Sequence, residues 1–208
     1  MKSAALVACE DTRRTLKLLN HLGIRVPMIS CRSQNEEFAA KKVIEALGRG
    51  MAVAYASDAG TPALSDPGAA LARLASAAGH EVIPIPGPSA FAALLSVAGG
   101  MDKTIIFEGF LSPKQGRRRS RLQELMAMDA AIILYESPFR ILKLLENIAE
   151  IDNERYICIG REMTKVHEEY IRGAAAEVLG VLAARKEQIG EFSVFITGRN
   201  YNFSINYY

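Results

Sequence analysis

The chain has 208 residues, 50% of them hydrophobic and 23% charged, with 16 glycines and 8 prolines. That length and balance fit one large or two smaller folded domains, and they exclude a disordered, collagen-like or disulfide-stapled polymer. A formal charge of +2, from 25 Lys and Arg against 23 Asp and Glu, excludes a globally basic nucleic-acid binder, so any basic footprint must be local. No apolar run approaches the ~20 residues of a membrane span, and Met1-Lys2-Ser3 leads into Ala4 without a secretory apolar region, so a soluble, cytoplasmic protein is expected. Cys9, Cys31 and Cys158 are odd in number and dispersed, which argues against a disulfide framework or a zinc site.

The first hundred residues alternate two kinds of segment. Ala4 to Ala8, Met51 to Ala56 and Val82 to Ile85 are short, uniformly apolar runs that read as strands buried on both faces. Between them Ala40, Val43, Ile44, Leu47 and Leu71, Leu74, Ala75, Ala78 follow helical spacing. Strand alternating with helix predicts parallel pairing, an α/β unit over residues 1–100. After the Gly99-Gly100-Met101-Asp102 seam the pattern changes. Thr104 to Phe107, Ala130 to Tyr135, Tyr156 to Ile159 and Phe192 to Thr197 read as strands, and Ile141, Leu144, Leu145, Ile148 and Val178, Val181, Leu182 as helices. Val166 to Arg172 lies close behind the third of these strands, which predicts an antiparallel pair and a mixed sheet over residues 101–199, with residues 200–208 as a tail.

In open α/β sheets ligands bind beyond the carboxyl ends of strands. Ser57-Asp58-Ala59-Gly60-Thr61-Pro62 occupies such an end; Asp58 is poised to face a ligand, while Asp66-Pro67 reads as the start of the next helix. Pro86-Gly87-Pro88-Ser89-Ala90 repeats the arrangement, with Ser89 able to cap a helix, and two such loops would flank one crevice. In Glu10-Asp11-Thr12-Arg13-Arg14 the expectation is an N-cap at Asp11 or Thr12, the alternative being a charged crevice wall. Lys114, Arg117, Arg118, Arg119 and Arg121 crowd one helix start, read either as a solvated face or as a phosphate contact. Glu136, Glu162, Lys165 and Glu168 follow apolar strands and are general acid or base candidates, although surface ion pairing explains any one of them. No phosphate loop, nucleophile elbow or dinucleotide fingerprint is present.

Read together, CEDTRRT (Cys9 to Thr15), SDAGTPALSDPG (Ser57 to Gly68), PIPGPSA (Pro84 to Ala90), FEGFLSPKQGRRR (Phe107 to Arg119), YESPFR (Tyr135 to Arg140) and GREMTKVHEE (Gly160 to Glu169) closely resemble the ribosomal RNA small-subunit methyltransferase I family. That family lies within the tetrapyrrole-methylase-like, class III S-adenosylmethionine methyltransferases. The resemblance implies two α/β domains with the cofactor in the cleft between them, a homodimer, and methylation of the 2′-hydroxyl of a cytidine in 16S rRNA of the 30S subunit, with no metal. Carried over by position, it implies cofactor contacts at Asp58, Ala59, Gly60, Thr61, Ser89, Ala90, Tyr135, Arg161, Glu191 and Phe192. Lys114, Arg117, Arg118 and Arg119 would meet RNA phosphates, and Glu162 or Lys165 would assist the hydroxyl. The family's upstream strand and its Pro-Ile-Gly-Asn-Leu loop, part of the cofactor cleft, are not in this sequence, and Phe139 stands where histidine is usual. The rival expectations are methylation of a tetrapyrrole, another small molecule or a protein within the same superfamily, and a non-catalytic dimeric fold.

Overall fold

The computed structural model describes residues 1–100 and 102–201, as two compact α/β units that divide after Pro88. The first contains β1 (Leu6–Cys9), α1 (Thr12–His21), β2 (Met28–Ser30), α2 (Glu36–Gly48), β3 (Val53–Ala56) and α3 (Ala69–Ala77). Its sheet is parallel, in the order β2-β1-β3. Central β1 buries Val7, Ala8 and Cys9 completely, and Ala8 packs with Cys31, Ala39, Ala40, Val43 and Leu71. Helices that bring small residues to the sheet suit such a short parallel strand, which needs cover on its faces. Strand β2 has three residues, too few to show a period in the sequence.

Two expectations for this unit are corrected. Val82 to Ile85 forms no strand; Val82 and Ile83 are exposed and Ile85 is 79% exposed. A parallel strand needs a neighbouring ladder, and among the described strands none pairs with this segment. Helix α3 begins at Ala69 after Gly68, whose φ is 126°, and not at Asp66-Pro67. Its orphan amides are satisfied from another helix: Gly68, Ala70 and Leu71 N–H all donate to Glu36 Oε1, at 2.9, 2.8 and 3.1 Å. Gly68 also lies so close to the Tyr55 ring that a Cβ would collide with it.

The second unit contains α4 (Ala90–Ala98), β4 (Ile105–Phe110), α5 (Gln115–Met126), β5 (Ala131–Glu136), α6 (Ile141–Ile151), β6 (Tyr156–Arg161), β7 (Glu169–Ala174), α7 (Ala175–Ala183) and β8 (Phe192–Ile196). The sheet order is β4-β5-β8-β6-β7, with β4 and β5 parallel and the remaining pairs antiparallel, the mixed sheet expected. Successive side chains point to opposite faces. Ile132, Leu134, Ile157, Ile159, Val194 and Ile196 join Leu122, Leu144, Leu145 and Val178 in one core. Ala131, Ile133, Cys158 and Phe195 meet Leu94 and Ala98 of α4 in the other.

Helix α4 therefore belongs to the second unit, and the boundary expected at residue 100 lies after Pro88. The double glycine is a packing device rather than a linker. Gly99 ends α4 in the left-handed region (φ 79°), and the α-carbon of Gly100 lies against the ring of buried Phe195 with no room for a Cβ. Tyr201 donates its hydroxyl to Gly99 O at 3.0 Å; residues 202–208 of the expected tail, and Met101, lie outside the described residues. Gly100→Ala should overpack this contact and destabilise the second unit by about 1–3 kcal/mol, read as a lower midpoint in urea unfolding.

Candidate active site and basic face

In the first unit the loops at the sheet's carboxyl edge are tied to one another. Asp58 N–H donates to Glu10 Oε2 (3.1 Å), Asp58 Oδ1 accepts from Asp11 N–H (3.1 Å), and Asp58 Oδ2 pairs with Arg14 Nε at 3.4 Å. Asp11 is the N-cap of α1, accepting from Arg13 N–H at 2.9 Å. Thr61 Oγ1 donates to Pro88 O at 3.2 Å, so the 57–61 and 86–88 loops meet. Gly60 has φ 74° and lies against Pro88 O; Ala59 and Gly60 are exposed. Burial, reinforced by Glu10 and Asp58, raises the pKa of Asp66 above the usual carboxylate range.

In the second unit strand register assembles the other expected residues. Strands β5 and β6 both run antiparallel to β8, so their carboxyl ends share one edge with its amino end. Phe110 is in register with Tyr135, Glu136 with Phe192, and Phe192 with Arg161. The Tyr135 hydroxyl accepts from Phe91 N–H at 2.9 Å near the start of α4, and its ring makes edge-to-face contacts with Phe107 and Phe110. Ser89, the N-cap of α4, keeps a buried hydroxyl with no hydrogen-bond partner among the described residues, and Ala90 is exposed beside it. Arg161 is committed to Ile189 O (Nε, 2.7 Å) and to Glu169 (3.6 Å). Phe192 is 2% exposed and belongs to the core, because inward-facing positions of β8 alternate from it.

The two catalytic candidates form one cluster. Lys165 Nζ bonds Glu162 Oε1 at 2.8 Å and Glu191 Oε2 at 3.0 Å, and Glu162 Oε1 also accepts from Glu191 N–H at 2.9 Å. Glu162 has φ 49°, a left-handed conformation that turns the loop back on itself, and Gly190 leaves room for its side chain. Lys165 holds the Glu162 carboxyl below its ordinary range, and Glu162 and Glu191 hold the ammonium above its own. The ammonium is thus held between two carboxylates. Glu136 is buried and accepts from Ser137 N–H (2.8 Å) and Arg140 Nε (2.7 Å), a structural ion pair rather than a free acid.

The basic run separates by partner. Arg118 is a correction: it is 3% exposed, with Nε on Asn147 Oδ1 at 3.2 Å and Nη1 on Pro113 O at 3.4 Å, because its position on α5 faces the core beside Leu122. Arg119 pairs with Glu150 (3.4 Å), and Arg121 is bidentate on Glu108. Lys114 and Arg117 remain exposed with no carboxylate partner among the described residues. Sequence reasoning missed Glu36 and this sorting, because helix-to-helix capping and carboxylates distant in sequence leave no local signal. Arg118→Ala should cost about 1–3 kcal/mol in urea unfolding by orphaning Asn147, whereas Arg117→Ala should leave unfolding unchanged. Glu108, Glu162 and Glu169 all have carboxyl pKa values lowered by cationic partners. Their stabilisation is present above the unfolded value of about 4.3 and is lost as pH falls through the lower folded values, so the second unit's melting temperature should decline below about pH 4.

Among the described residues no helix is long and apolar enough to cross a membrane, and no group of three or more His, Cys, Asp or Glu is placed to hold a metal ion. Residues 1–179 match the family model for tetrapyrrole (corrin/porphyrin) methylases. The chain is 41% identical over 198 residues to the ribosomal RNA small subunit methyltransferase I of Borrelia garinii subsp. bavariensis, covering 95% of this chain and 88% of that one. It is 39% identical to the protein of that name from Thermotoga maritima, covering 96% and 89%. Among solved structures, the methyltransferase CobJ superposes with a TM-score of 0.66 at 18% identity, over 94% of this chain and 83% of that one. The cobalt precorrin-4 methyltransferase CbiF gives 0.61 at 14%, over 94% and 84%. At those identities the two structures speak to the fold alone, an α/β fold with two sheets. With a model match over most of its length and relatives near 40% identity, the chain belongs to the ribosomal RNA small subunit methyltransferase I family of the tetrapyrrole methylases.

Proposed function

We propose that this chain methylates the ribose 2′-hydroxyl of a cytidine in 16S rRNA, using S-adenosyl-L-methionine as donor and the 30S subunit as substrate, and acts as a cytoplasmic homodimer. The observation that carries the reading is the 41% identity, along 95% of the chain, to a protein named as a small-subunit ribosomal RNA methyltransferase. The atom and nucleotide are what the sequence motifs imply. Among the residues the motifs imply for the donor, Ser89 fits it by a buried hydroxyl that has no hydrogen-bond partner among the described residues. Bound S-adenosyl-L-methionine would supply an electrophilic methyl for the ribose 2′-oxygen, its sulfonium becoming a neutral thioether and the hydroxyl proton passing to solvent.

The chain's own contribution is positioning and charge. Lys165, 44% exposed at its side chain and clamped by two carboxylates, stabilises negative charge developing on the ribose oxygen without itself losing a proton. Glu162 orients that ammonium, and the 3.0 Å bond from Glu162 N–H to Glu191 O fixes the loop that carries it. Labelled methyl transfer to 30S subunits lacking the modification tests the reading; transfer to a tetrapyrrole with none to 30S overturns it. Lys165→Ala should lower kcat roughly 10- to 1000-fold while calorimetry shows donor affinity unchanged. Lys165→Arg should recover part of the rate, and the parent's rate should show no ionisation of Lys165 near neutral pH.

A further inference from the structure

We infer that Phe139 is a stacking platform for a nucleobase of the RNA, a role that rests on the reading of this chain as an RNA-modifying protein. The ring is 90% exposed, on a turn whose backbone is tied by hydrogen bonds. Glu136 grips both ends of that turn, accepting from Ser137 N–H at 2.8 Å and from Arg140 Nε at 2.7 Å. Arg140 and Ile141 N–H both donate to Ser137 O, at 3.1 and 3.0 Å, and Ile141 is fully buried. The phenyl ring gains nothing from the fold, since it packs in none of the hydrophobic cores.

Its surroundings state what would cover it. Arg140 Nη1 reaches Leu111 O at 3.4 Å, tying the Phe139 turn to the loop that opens α5. That loop leads to Lys114 and Arg117, the two cations of the basic run that have no carboxylate partner among the described residues. The Phe139 turn and this loop follow β5 and β4, whose register sets Phe110 beside Tyr135 at the same sheet edge. An exposed ring on a turn tied to the loop that carries these cations is complementary to single-stranded RNA, whose bases stack on aromatic side chains while its phosphates take Lys and Arg. A nucleotide modified on its ribose has to be drawn away from its neighbours, and a ring that replaces lost base stacking offsets that cost.

The test measures binding of a fluorescent, single-stranded, cytidine-containing oligoribonucleotide of roughly ten nucleotides by anisotropy, alongside steady-state methylation of 30S subunits. Phe139→Ala should weaken oligonucleotide binding and raise KM for 30S roughly 5- to 100-fold, leaving kcat, donor affinity and melting temperature unchanged, and Phe139→Trp should restore both. Phe139→Ala should leave the dependence of log affinity on log salt unaltered, whereas Arg117→Ala and Lys114→Ala should each make it shallower by about 0.7. Unchanged oligonucleotide binding in Phe139→Ala overturns the inference even if the parent methylates 30S. A shift of Phe139→Ala to a smaller oligomer in gel filtration also overturns it, by making the ring an interface between copies. If the parent fails to methylate 30S, the proposed function falls; weaker oligonucleotide binding by Phe139→Ala would then still support the stacking role.

Discussion

The antiparallel seating of β8 between β5 and β6 is the constraint on which the second unit's chemistry depends. All five residues from Phe192 to Ile196 are buried, and the strand bonds to a neighbour on both sides. Because it runs against both neighbours, it aligns their carboxyl ends along one edge and delivers the 189–191 segment there. Arg161 can then reach Ile189 O, Glu162 can meet Glu191, and Lys165 can be held between two carboxylates. Arg161, Glu162 and Lys165 are all distant from Glu191 in sequence; the strand order makes them neighbours.

Charge in this protein is sorted by what the fold leaves for it to pair with. Arg118, Arg140 and Arg155 serve the interior: they bond Asn147, Glu136, and the Thr197 and Met126 carbonyls, satisfying groups that burial would otherwise leave unpaired. Arg121 and Arg185 close bidentate pairs with Glu108 and Glu169, the geometry for which a guanidinium fork is suited. The cations left over define the face that an anion can use. A run of five basic residues therefore leaves fewer cations without a carboxylate partner, among the described residues, than its sequence suggests.

The first unit achieves order differently. Its three-stranded sheet has a small core, and its functional loops are held by polar links instead of apolar mass. Glu36 gathers three amides at the start of α3, Asp58 joins the loop after β3 to the one after β1, and Thr61 reaches Pro88. Hydrogen bonds to an ionised carboxylate are stronger than neutral ones, so these few contacts fix backbone that would otherwise be free to move.

The sequence by itself determined the class of fold, most of the elements and the family. Apolar runs such as Ala130 to Tyr135 read as strands, and motifs such as SDAGTP and GREMTK keep their residue types in order whatever surrounds them. It also placed Asp58, Thr61 and the Glu162 to Lys165 stretch at strand ends, because a loop after a buried strand is where an α/β sheet exposes polar groups. The tertiary structure decided what depends on partners. Val82 to Ile85 has a strand's composition and no described strand to pair with; α4 packs under β8 and so belongs to the second unit; Arg118 and Phe192 point inward. Local pattern records what a residue can do, while pairing and burial depend on neighbours distant in the chain, which only the folded arrangement supplies.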